Sequence, residues 1–83
     1  MNKPLGYLRE IISNYTDRSS TAKNIYARIE NKEYDSEELF VRDLSEEEIN
    51  FLDKILPDEI NHAKEENDET RAHNLNEVFE QLF

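Results

Sequence analysis

The stretch SEEEINFLDKILPDEINHAKEENDETRAHNLNEVFEQLF, residues 45–83, decides the fold. Ser45 followed by Glu48 has the form of a capping box, in which the serine hydroxyl and the glutamate carboxylate each satisfy a backbone N–H at a helix start. Glu46 and Glu47 place negative charge in the first turn, at the positive end of the helix dipole. Apolar residues then fall at Ile49, Leu52, Leu56, Ile60 and Ala63, the spacing of one helix face. Carried forward at the same period, that face meets Leu75, Val78 and Leu82 beyond the polar run 64–71. The pattern predicts one long C-terminal helix, kinked at Pro57, where the ring removes a backbone donor. Lys64 with Asp68, Asp68 with Arg71, and Glu69 with His73 stand at contact spacing and support it. A break near Asn67 and Asp68 is the alternative. If continuous, the helix spans roughly 55 Å at ~1.5 Å per residue. So long a rod invites a second copy, giving a homodimer, or a protein partner of unknown identity, to cover its exposed end.

Upstream the helical signals are shorter. Pro4 suits the first position of a helix, and Leu5, Leu8, Ile11, Ile12 and Tyr15 form a stripe behind it. The run Thr16, Asp17, Arg18, Ser19, Ser20 breaks the stripe with side chains that hydrogen-bond their own backbone and ends in an N-cap. Ala22, Ile25, Tyr26 and Ile29 give a second inward face, fading at Asn31 to Glu33. Asp35 with Glu38 reads as a further capping box, ahead of Leu39, Phe40 and Leu44. Residues 16–21 and 30–36 are the candidate linkers. One Gly and two Pro leave few tight turns, and no stretch alternates with the period of a strand. The expectation is an all-α small helical bundle, two or three short N-terminal helices packed on a long C-terminal helix, with residues 1–83 as a single helical domain.

Charge narrows the function classes. The 83 residues carry a formal net charge of −10, unevenly spread. Residues 1–29 hold five bases against two acids, whereas the remaining 54 hold eighteen acids against five bases. Such a surface repels phosphate, so direct nucleic-acid binding is not expected, and a basic partner would suit it better. With no apolar run near eighteen residues and no signal-peptide pattern, the sequence predicts a cytoplasmic chain without a membrane anchor. Cysteine is absent, which removes disulfide scaffolds and thiol chemistry.

Catalytic patterns are sparse. Glu59 and His62 stand one helical turn apart and could share a metal ion, but di-iron bundles need two such pairs and further carboxylates. His73 with Glu69 is a looser second pair. A single Gly, Gly6, builds no phosphate cradle, and neither histidine has a serine or threonine placed for a triad. No enzyme activity, metal or other cofactor is expected. The tentative interaction residues are aromatic and acidic: Phe51 beside the main stripe, Phe79, Phe83, Glu46, Glu47, Glu65 and Asp68, an aromatic anchor set in acidic surroundings. Simple packing at the edge of a narrow bundle is the plainer role for the phenylalanines, and solubility for the acids.

Two stretches carry a family likeness. Leu5, Gly6, Tyr7, Leu8, Arg9, Glu10 and Glu37, Glu38, Leu39, Phe40, Val41, Arg42, Asp43, Leu44 resemble the short sporulation proteins named CsgA, a small acid-soluble spore protein family unrelated to the curli subunit of that name. The likeness continues through Phe51, Leu52, Glu59, Ile60, Arg71, Ala72 and Leu75 to Val78. It implies a cytoplasmic forespore protein, made under the late forespore sigma factor, with no established molecular activity. DNA coating is not implied, since the DNA-coating spore proteins are Gly-rich and this chain is not. A second likeness, to helical-hairpin phosphatases of sporulation response regulators, rests on a Ser close to Leu-Asp. Here Ser45 is seven residues from Leu52 and Asp53, the wrong spacing. The sequence leaves a protein-interaction module, a passive structural or storage component of the spore, and, ranked below both, a response-regulator phosphatase.

Overall fold

Every helix of the chain starts at a short polar side chain that accepts a backbone N–H. In the computed structural model, which describes residues 2–83, Asn2 caps α1 (Lys3–Ile12), Ser19 caps α2 (Ser20–Asn31), Ser36 caps α3 (Glu37–Arg42), Ser45 caps α4 (Glu46–Glu65) and Asp68 caps α5 (Glu69–Glu80). The accepted bonds, from the N–H groups of Leu5, Ala22, Leu39, Glu48 and Arg71, are 3.1–3.2 Å long. Each cap satisfies a donor with no partner inside its helix. At Ser45 the full box forms, with the Ser45 N–H donating to Glu48 Oε1 at 2.8 Å. No strand occurs among the described residues.

The all-α expectation holds, with three short N-terminal helices and a longer one running through Pro57. The proline costs α4 the bond that the Asp53 carbonyl would otherwise accept, and the helix still continues for two further turns. The continuous rod does not exist. Helix α4 stops at Glu65, and α5 folds back to pack on α4 and α1. Asp68 N–H donates to the Ala63 carbonyl at 2.8 Å and Asn67 N–H to the Lys64 carbonyl at 3.0 Å, with Asn67 at φ 62°. This is a Schellman closure, built on an asparagine where glycine is usual. The molecule measures 31 × 29 × 22 Å, so the 55 Å span is ruled out.

Most of the apolar stripe is core, with Ile49 and Leu82 at its two ends only partly buried and Ile55 added beside it. Leu52, Leu56, Ile60 and Ala63 are buried, as are Leu75 and Val78, but the chain's own helices enclose them. Helix α2 bridges α1 and α4, and α3 touches α5. One core holds Leu5, Leu8, Ile12, Ile25, Phe40, Leu52, Leu56, Leu75 and Val78, all 2% exposed or less. Burying each such side chain contributes about 1.5–3 kcal/mol, enough that the four helices of twelve residues or fewer are stabilised by packing on one another and on α4.

Smaller expectations also shift. The α3 cap is Ser36, not Asp35, which rotates the helix so that Leu39 faces out at 41% exposure and Val41 turns inward. Tyr15 lies past the end of α1, in the turn. Of the three pairs expected to support a continuous helix, only Asp68 with Arg71 forms, at 3.5 Å. His73 approaches Glu77 at 3.2 Å instead. The linkers are 32–36 and the short joins before α2, α4 and α5, since residues 20 and 21 belong to α2.

Candidate interaction surface

With the core closed, whatever this chain does is done by its outer face, so the placement of charge on that face matters. Half of the cations, four of the five arginines among them, are held in ion pairs inside the molecule. Arg9 pairs with Glu30 and Arg71 with Glu10, both at 3.0 Å, and Lys32 with Asp43 at 3.0 Å. Arg28 Nη2 donates to both oxygens of Glu48, at 3.0 and 3.3 Å. Glu48 is only 4% exposed, so this capping-box carboxylate ties the start of α4 to α2 as well as to Ser45.

Helix α4 carries the opposite condition. Glu47, Lys54, Asp58, Asn61 and Glu65 recur at three-, four- and seven-residue spacing on its outward side, flanked by Glu46 and Asp53. Glu46, Asp53 and Asp58 make no ion pair, Glu47 only accepts the Thr21 hydroxyl at 2.8 Å, and Glu65 lies 3.8 Å from His62. The charged pair at contact spacing on this face is Lys54 with Asp58, four residues apart, and the two form no ion pair.

The residues singled out from sequence do not form one patch. Glu46 and Glu47 lie in the first turn of α4 and Glu65 in its last, separated by roughly 28 Å at ~1.5 Å per residue. Asp68 is committed to capping α5 and to Arg71. Phe51 is half-buried, edge-on to Tyr15 with ring centroids 5.8 Å apart. Phe79 and Phe83 do come together, edge-to-face at 5.3 Å, and Phe83 is 84% exposed. Around Tyr15 the arrangement is tighter than the sequence suggested. Its hydroxyl donates to Glu59 Oε2 at 2.6 Å, while the Arg18 guanidinium sits 4.8 Å from its ring centre. Burial and then that bond push the phenol up to about 12. Glu59 is thereby engaged away from His62, and among the described residues no group of three His, Asp or Glu side chains converges as a metal site.

A groove of about 540 Å³ lies between α2 and the start of α4, lined by Asn24, Arg28, Lys32, Tyr34, Asp43 and Glu48. Its polar groups answer one another. Asp43 Oδ2 accepts from Lys32 at 3.0 Å and from the Tyr34 hydroxyl at 2.9 Å. These bonds, that from Lys32 first, lower the Asp43 carboxyl below its usual range, and the same bond raises Lys32. Burial, then its bond to Asp43, raises Tyr34. Glu48 was visible in the sequence as a capping residue, but nothing local marked its bond to Arg28, twenty residues away. Arg71 was visible only through its local pairing with Asp68, and nothing marked its reach to Glu10 and Glu66. Asp53 and Ser45 gain no catalytic geometry, because the Ser45 hydroxyl is used by the cap and Asp53 is exposed without a partner.

Fold and surface define a small, acidic, all-helical protein with a closed core. Within that class the chain belongs to the CsgA family, matching over residues 1–83 the family described as "CsgA: Minor curli fiber component A". It is also 43% identical, over 83 residues and the whole of both chains, to a protein of Bacillus subtilis (strain 168) named "Sigma-G-dependent sporulation-specific SASP protein". No solved structure matches. The fibre wording of the family description has no counterpart in this fold, since cross-β fibres stack strands and the described secondary structure is helical. No helix among the described residues is long and apolar enough to cross a membrane.

Proposed function

We propose that this chain is a non-catalytic small protein of the sporulating cell, residing in the forespore cytoplasm as one helical domain, and that it works by docking the acidic side of α4 on a basic protein surface. The observation that carries this reading is the contrast in charge use: the arginines of α1, α2 and α5, Arg9, Arg28 and Arg71, are paired internally, while Glu46, Asp53 and Asp58 are left without ion pairs. Acids left unpaired on one helix face strengthen attraction to an oppositely charged partner, chiefly by raising the association rate. The sporulation-specific name of the Bacillus subtilis relative supports the setting.

The test is affinity capture from sporulating cells with the wild-type chain and with Glu47→Lys/Asp58→Lys. A partner held by wild type at low salt, released as salt rises and absent from the variant, is the expected result. Equal recovery by both proteins, or nothing above background, removes the reading. The closed core favours a second reading, in which the protein is a passive spore component needing no specific partner. Thousands of copies per spore, lost on germination, would favour that role, and trace amounts would favour docking.

A further inference from the structure

We propose that the turn at residues 66–68 is an openable hinge, and that a second copy of this chain can take up α5, giving a dimer in which α4 and α5 run on as one helix and each α5 packs on its partner. The turn is made from residues that do not require it. Residues 64–71 contain no Gly or Pro, and all eight are of types tolerated within a helix. Asn67 holds a left-handed φ of 62°, at a cost that glycine would not incur. Opening the hinge breaks the two closing bonds, from Asp68 N–H to Ala63 and from Asn67 N–H to Lys64, and the Asp68 cap on Arg71 N–H. Winding the same residues into the helix replaces those bonds with the ordinary four-residue ladder. The local exchange is close to balanced.

What holds α5 in place is the burial of Ala72, Asn74, Leu75 and Val78 against α1 and α4. A second copy offers the same surfaces, so the buried contacts survive an exchange of α5 and the equilibrium falls to the hinge and the concentration. Charge opposes it. Glu65, Glu66, Asp68 and Glu69 of the two copies would lie near one another where the fused helices meet, a repulsion that salt screens. The swapped form should therefore be favoured at high protein concentration and high ionic strength.

The test refolds the full wild-type chain from denaturant at millimolar concentration, in low and in high salt, and follows mass by sedimentation after dilution. Wild type should give a slowly dissociating dimer, more of it in high salt. Asn67→Gly, which eases the left-handed turn and disfavours the helix, should lower the dimer-to-monomer constant on the order of tenfold, because each dimer opens two hinges. Asn67→Ala should raise it. Wild type that stays monomeric throughout overturns the proposal even if Asn67→Ala fails to fold. So does a dimer whose amount is indifferent to Asn67→Gly, since that would be ordinary surface association.

Discussion

The two ends of α4 make the same kind of structure from different information. Its start at Ser45 is written locally: the hydroxyl, the Glu48 carboxylate and two acids in the first turn lie within four residues, and Arg28 adds a tertiary bond to a cap that would form without it. Its end at Glu66 to Asp68 lacks the usual stop residues. Asn67 takes the left-handed conformation, and Asp68 both closes α4 through its N–H and opens α5 through its side chain. The first end is determined by its own sequence, and the second by what α5 gains when it reaches α1 and α4.

The largest expected effect comes from breaking the written end. Glu48→Ala removes a 4% exposed carboxylate that accepts from Arg28 and from the Ser45 N–H, and should cost about 3 kcal/mol in urea denaturation. At the unwritten end, Asp68→Ala removes a cap and should cost about 1 kcal/mol. Asn67→Gly relieves the positive φ and should stabilise the monomer by roughly 0.5 kcal/mol, partly offset by a floppier unfolded chain. A loss of stability in that variant would mean the turn is not left-handed.

The smallest effect lies between the two ends and is visible only in alkali. The Tyr15 phenol is raised to about 12, so its neutral form is favoured by folding. Its contribution is complete below about pH 10, the pKa of an ordinary tyrosine, and is lost as pH rises through about 12. Following tyrosinate absorbance with pH, wild type should show one late-ionising tyrosine more than Tyr15→Phe, and Glu59→Gln should bring that ionisation earlier.

This contrast accounts for what the sequence could tell. Helix type, the start at Ser45 and most of the buried positions were legible because caps and apolar spacing are local, and the cap of α2 was legible to within the run 16–20, where the structure uses Ser19. Ser36 was displaced by one residue because Asp35 and Ser36 are both good caps and only packing chooses between them. The stop at Asn67 stood only as the alternative to one long helix, because Leu75, Val78 and Leu82 match the periodicity of one helix as well as that of two, and the structure takes that alternative. Of the candidate surface, the acidic outer side of α4 and the exposed Phe83 could be anticipated from composition and pattern. The Arg28–Glu48, Tyr15–Glu59 and Arg71–Glu10 pairs could not, since they join residues 20, 44 and 61 apart.

The fold-back of α5 onto α1 and α4 is best tested by small-angle X-ray scattering on the dilute, low-salt monomer. A radius of gyration only a hydration shell larger than the 11.7 Å of the Cα trace, with a maximum dimension not far above 31 Å, is the predicted result. A monomer of elongated profile, extending to the roughly 55 Å that a straight helix of this length would reach, would contradict it.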